Sequence, residues 1–117
     1  MTELIPRTMP NDPDVLVVAD LYGTIASVSD SVEVVFGYDP NSLVGQNVEL
    51  FVPVDLRSRH RDHMARFARR PHARTMGIGL DLNGVHVDGT LIPVEVSLRV
   101  FRERERTLVR AVGMNTI

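Results

Sequence analysis

The side chains able to do chemistry are concentrated between Arg57 and Leu80, in RSRHRDHMARFARRPHARTMGIGL. Imidazole can ligate a metal or carry a proton, and guanidinium groups hold carboxylates or phosphates. Wound at 3.6 residues per turn over 55–69, this stretch puts Leu56, His60, Met64 and Phe67 on one face. Arg57, Arg59, Arg61, Arg66 and Arg69 fall mostly around the other. His60 therefore points with the apolar residues, towards the core or whatever the core holds. Other constellations are weaker. A zinc site from His60, His63, Asp62, His72 and His86 lacks a third ligand placed by spacing, and an i, i+3 pair aims its rings less well than i, i+4. Ser58, His60 and Asp62 occupy different helix faces and cannot form a nucleophilic triad. Gly77-Ile78-Gly79 precedes a strand rather than a helix, so it is not a phosphate loop; it suits close approach of a ligand or side chain. No catalytic constellation emerges, and an enzyme is not expected.

The elements that must position His60 follow from the rest of the chain. Its 117 residues make one domain, with 44% hydrophobic residues and no apolar run of membrane-spanning length. The opening MTELIPRTMPNDPD lacks the basic and apolar regions of a secretory signal, which favours the cytoplasm. There is no cysteine, excluding disulfides, thiolate metal sites and cysteinyl flavin photochemistry. Net charge is −2, with no global pull towards nucleic acid. Charge is unevenly spread: residues 1–55 carry nine acids and one Arg, and seven arginines lie from Arg57 to Arg74. That cluster lacks the interleaved aromatic residues of a nucleic-acid surface and reads as a solvated helix face, able to pair with the acidic half of a neighbouring subunit.

Residues 1–13 read as a loose lead-in and 14–117 as the domain. Val15–Asp20 is expected as a buried strand, hairpin-linked to a second at Thr24–Ser29. Asp30 with Glu33 resembles a capping box for a short helix to Phe36, ended by Gly37. Asp39-Pro40 opens another helical turn, stopped by Gly45. Asp55 is expected to cap the longer helix, which must end by Pro71. Met76, Ile78, Leu80 and Leu82 alternate as one strand. Asp88-Gly89 predicts a two-residue hairpin turn. Ile92, Val94, Val96, Leu98 and Val100 share one strand face, with Pro93 implying a bulge. Thr107–Met114 is the last strand. Leu91, Phe101 and Val109 are expected on the outward sheet face, a docking patch for a homodimer. The whole is α+β: a five-stranded antiparallel sheet with short helices and one longer helix packed on one face.

This order, with DLYGTI (Asp20–Ile25), FGY (Phe36–Tyr38), LVGQNV (Leu43–Val48) and VDGTLIPVEVSL (Val87–Leu98), resembles a PAS domain over roughly residues 14–115. The resemblance implies a sensory or interaction module whose helices and sheet enclose a small-molecule pocket. Within the family, Arg57–Leu98 is most similar to the haem-binding PAS domains of FixL-type oxygen sensors. That similarity implies haem b ligated through iron by His60, with Arg66 and Arg74 on the propionates. The apolar pocket would be Met76, Ile78, Val94, Val96 and Leu98. Leu80 stands where those sensors place a distal Arg, and Ile78 where a distal Met ligand would be. The resulting apolar distal side would favour carbon monoxide or nitric oxide over polar oxygen. The alternative is a haem-free module holding an apolar molecule such as a fatty acid, or nothing, and acting through homodimerisation. No kinase, cyclase or DNA-binding segment is visible, so a signalling partner or a further output domain is expected; neither nucleic acid nor membrane is.

Overall fold

The computed structural model describes residues 14–72, 74–76 and 82–115. Strand β1 (Val15–Asp20) alternates buried and half-buried residues, the signature of a strand with one face on a core. It pairs antiparallel with β2 (Ile25–Val28), a residue shorter at each end than its pattern suggests. Asp20 causes this: its Oδ1 accepts the N–H groups of Tyr22 and Thr24, both at 2.9 Å, and closes the turn before β2 begins. Thr24 instead bridges to Asn47.

Helix α1 (Ser31–Phe36) ends as expected at Gly37, whose φ of 80° is the left-handed cap. Its start differs from the capping-box reading. Asp30 has helical dihedrals, φ −61° and ψ −23°, and its side chain makes no cap bond. The neighbouring serines anchor the segment instead: Ser29 Oγ accepts from the Leu16 amide, and Ser31 Oγ donates to the Asp14 carbonyl. Helix α2 (Pro40–Leu43) starts as expected, with Asp39 accepting from the Asn41 amide at 2.9 Å. Two 3-10 turns, Val48–Phe51 and Val54–Leu56, lead into α3 (Arg57–Arg69). Asp55 lies inside the second of these turns and does not cap α3, whose N-cap Leu56 offers no side-chain bond.

Of the expected strand from Met76 to Leu82, Met76 ends β3 (Arg74–Met76) and Leu82 precedes β4 (Asn83–Val85); these two strands pair with different parts of β5 (Leu91–Glu103). Residues 77–81 lie outside the described residues. The turn before β5 is also longer than the expected two residues. His86 donates its amide to the Thr90 carbonyl at 2.8 Å, leaving Val87, Asp88 and Gly89 in the loop. Gly89, φ +92°, takes the left-handed position that three-residue hairpin loops need. Strand β6 (Arg106–Asn115) completes a sheet ordered β2-β1-β6-β5-β3, five places across, with β4 beside the start of β5. This is the expected α+β fold. Its core joins Val15, Val17, Ile25, Ile92 and Val94 of the sheet to Val32, Val35, Phe36 and Leu43 of the helices.

Hydrogen bonds from the Thr90 hydroxyl and amide draw the exposed Asp88 carboxyl down to about 2, from 3.8. A depressed carboxylate stabilises the fold above its unfolded value, and that contribution is lost as pH falls through the folded one. Asp88→Asn is therefore expected to melt slightly below wild type at neutral pH, with the gap closing by about pH 2. Thermal melts at both pH values check this; a gap that persists in acid would contradict it.

Candidate functional site

The sheet and α3 do not meet tightly. Between them lies a cavity of about 280 Å³, near the lower end of the roughly 300–1,000 Å³ typical of ligand pockets. The inner sheet face walls one side, and pairing explains which residues it shows. Val15, Val17 and Ala19 of β1 sit opposite Gly113, Ala111 and Val109 of β6, and all six line the cavity. The next pairing brings Val96 opposite Gly113 and Leu98 opposite Ala111. Val109 was expected outside; its register with inward Ala19 turns it inside, which removes it from the outer apolar patch. Leu91 and Phe101 stay exposed, at 52% and 37%.

Helix α3 forms the opposite wall through His60, His63, Met64 and Phe67. Leu56, from the same helical stripe, is 40% exposed and does not join it. No residue of α3 is buried, so this wall is the one least anchored by packing and the easiest to displace. Phe51 closes the end, with its ring 5.2 Å from that of Phe36 and 5.7 Å from that of Tyr38.

His60 is one of four polar residues of the described lining, with His63, Asp20 and Asn83. Its Nδ1 is sealed from solvent and has no hydrogen-bond partner among the described residues. Burial pushes the imidazole below its ordinary pKa; Glu49 opposes that shift and His63 adds to it. Glu49 accepts from Arg61 Nε at 2.7 Å, and Arg57 Nε donates to the Val52 carbonyl at 3.0 Å. Neither of these two arginines lines the cavity.

The depressed pKa carries a pH dependence. Between the folded and unfolded values the unfolded chain binds more protons, so stability falls as pH drops below about 6.5. His60→Phe is expected to flatten that decline. Urea midpoints at neutral pH and near pH 5.5 decide it, and an equally steep fall in the variant would assign the slope to another group.

The residues expected from the sequence to form the site are only partly brought together. His60, Val94, Val96 and Leu98 share the cavity. Arg66 is exposed on α3 and is not part of the lining. Arg74 and Met76 lie in β3, opposite Leu98 and Val96. Ile78 and Leu80 lie outside the described residues. The lining from β1 and β6, with Phe51, is not among the pocket residues expected from the sequence, although the alternation of Val15, Val17 and Ala19 signals an inward face.

A family model for the PAS fold matches residues 5–115. The chain belongs to the PAS family. Over 86 residues this PAS domain is 34% identical to the sensor protein FixL of Bradyrhizobium diazoefficiens; the match covers 74% of the chain and 17% of FixL. Solved PAS domains superpose on it at lower identity. That of an HTR-like protein from Haloarcula marismortui has a TM-score of 0.72 at 22% identity, covering 92% of this chain and 84% of that one. The PAS domain of the quorum-sensing receptor RpfR from Cronobacter turicensis, solved with BDSF, has a TM-score of 0.68 at 20% identity, covering 89% and 94%. The same receptor domain solved with C12:0 has a TM-score of 0.65 at 21% identity and the same coverage. By family and by its FixL-like sequence this is a PAS sensory domain.

The donor set is compatible with haem in one respect and incomplete in another. A cavity-lining imidazole held neutral by burial is the form that binds iron. Among the described residues no three potential metal ligands cluster, so a metal here would have to bring further ligands with it, as a porphyrin does. The carboxylate partners are less well placed, since no arginine belongs to the described lining.

Proposed function

We propose that this PAS domain is a small-molecule sensor whose cavity accepts haem b, with His60 as the iron ligand. The observation that carries the reading is the His60 imidazole on the wall of a largely apolar cavity, its Nδ1 sealed and without a partner among the described residues. A sealed, unpaired ring nitrogen costs roughly 1–3 kcal/mol, the kind of strain retained where a site does something else. The FixL-like sequence adds the expectation of Arg66 and Arg74 as propionate partners, and of Met76, Ile78 and Leu80 beside the ring. Haem would supply a redox-active iron able to bind a diatomic gas. The chain's own contribution is to hold that group by one neutral imidazole, keep water from it with Val94, Val96 and Leu98, and register its arrival by displacing α3. Displacement of α3 is the signal because it is the wall without buried residues. The recipient is a partner or an output domain, and the working unit is a homodimer.

Reconstitution with haem tests this reading. The wild type is expected to take up one haem per chain with a sharp Soret band, and His60→Ala to lose at least about 10-fold in affinity, the lower end of what losing a determinant of metal affinity costs. Sub-stoichiometric uptake, or uptake indifferent to His60→Ala, would remove haem from the site.

A second reading has its own observation. Apart from His60, His63, Asp20 and Asn83 the wall is apolar, aliphatic along the sheet with Phe36, Phe51 and Phe67 facing it, which suits an apolar chain such as a fatty acid, as in the RpfR domain. Native mass spectrometry of the freshly purified protein would reveal such an adduct at fixed mass.

A further inference from the structure

The charge asymmetry of the sequence acquires a location in the fold. From Arg57 to Arg70 there are six arginines and one aspartate, whereas from Asp14 to Leu56 there are seven acids and no base. Both stretches contribute to the helical layer, on the cavity side of the sheet. On α3 and its C-cap, Arg59, Arg66 and Arg70 recur after seven and then four residues, which aligns them in one stripe. All three are exposed, and none makes an ion pair among the described residues; Arg61, on another flank, is the arginine that pairs with Glu49. Asp62 is the acid on α3 and is exposed beside them, and Asp55 precedes the helix.

The acids that could answer this stripe lie on the other helices. Asp30 and Glu33 are exposed at the start of α1, and Asp39 is exposed at the start of α2. Each charged group has an exposed apolar neighbour: Val34, 57% exposed, beside Glu33, and Leu56, 40% exposed, one turn before Arg59. Apolar contact framed by complementary charge is the anatomy of an interface core and its rim.

We propose that the helical layer is a self-complementary interface, in which the α3 arginine stripe of one copy meets the α1–α2 acids of a second copy and the reverse contact forms at the same time. A two-fold axis satisfies both contacts at once, since every contact in such a dimer is made twice. The charges steer and fix register, while Val34 and Leu56 supply the desolvated contact. The choice of a second copy over an unrelated acidic partner rests on the chain carrying both halves of the match. This surface is separate from the outer sheet face, where Leu91 and Phe101 remain exposed. It also places the dimer contact on α3, the wall that an arriving ligand would displace.

A charge swap tests the interface. The variants are Arg59→Glu with Arg70→Glu, and separately Asp30→Arg with Glu33→Arg; all four positions are exposed, and Arg66 is left in place as a candidate ligand contact. Circular dichroism first establishes that each variant is folded. By sedimentation equilibrium in low salt, the wild type is expected to dimerise. Its dissociation constant should rise about tenfold or more when salt is raised until the Debye length falls from roughly 20 Å to below 10 Å. Each variant alone is expected to be monomeric, and an equimolar mixture of the two to form a heterodimer. A wild-type monomer in low salt, variants that still dimerise, or a mixture that stays monomeric would each overturn the proposal.

Discussion

Gly37→Ala is expected to lower the unfolding free energy by about 2–5 kcal/mol, from a left-handed penalty of roughly 1–2 and an overpacking cost of roughly 1–3. Gly37 has φ +80°, which L side chains rarely adopt, and a Cβ built there would lie 2.7 Å from Cε1 and Nε2 of His86 and from Cγ1 of Val87. The clash has no easy relief. His86 is only 8% exposed, and the Val87 amide is tied to the Phe36 carbonyl at 2.8 Å, so neither can withdraw without opening the contact between α1 and the β4–β5 hairpin. Gly45 and Gly89 provide internal controls. Their φ values are +90° and +92°, yet nothing lies within 4 Å of an added Cβ. Alanine at either should cost only the backbone term, about 1–2 kcal/mol. Urea denaturation of the three variants separates crowding from backbone strain. A Gly37→Ala midpoint no lower than that of Gly45→Ala would mean that the α1–hairpin junction yields freely. Because Phe36 lines the cavity, the Gly37 variant should also loosen one end of the site.

The residues that could be read from the sequence are those governed by local rules. Gly37 ends α1 and Asp39 caps α2 because each effect needs only its own neighbours. The inward face of β5 follows from its period of two, and the stripe of α3 from its period of 3.6. His60, Met64 and Phe67 keep to that stripe and reach the cavity, but Leu56 begins it in a 3-10 turn, where the helical period does not yet apply. Asp30 failed as a cap for a related reason: the serines on either side of it offered bonds to β1, and the backbone at Asp30 was already helical.

The site as a whole depends on register, which has no local signature. Val109 reads as outward from its own strand alone, and it is pairing with Ala19 that turns it into the cavity. The same pairing brings Val15, Val17, Ala111 and Gly113 to a wall that the sequence suggested only for β5 and for Met76 and Ile78 before it. Asn83-Gly84 has the composition of a turn, yet it forms β4. A Cβ at Gly84 would lie 2.7 Å from the Phe36 ring, so the absence of a side chain there lets strand and aromatic ring come together. His86, which the sequence suggests only as a remote metal ligand, packs against Gly37 and accepts the Asp88 amide at Nδ1.

Gly113→Leu should separate ligand binding from folding more cleanly than any change at His60. Gly113 lines the cavity in the middle of β6, between Val15 and Val96, and the nearest atom to a Cβ built there is the Val15 carbonyl oxygen at 3.8 Å. A leucine can therefore enter without displacing backbone, and its side chain points the way its paired neighbours do. Replacing glycine within a strand removes roughly 0.5–1 kcal/mol of backbone entropy cost, and apolar atoms placed against Val15 and Val96 add to that gain. The expected result is a protein about 1 kcal/mol more stable than wild type in urea. Its haem or lipid occupancy should fall at least about 100-fold, because the space is already taken. The two readouts move in opposite directions, so loss of binding could not be ascribed to misfolding. Unchanged occupancy with raised stability would show that ligand sits elsewhere. Lowered stability would mean that the sheet and α3 close more tightly than a 280 Å³ space allows.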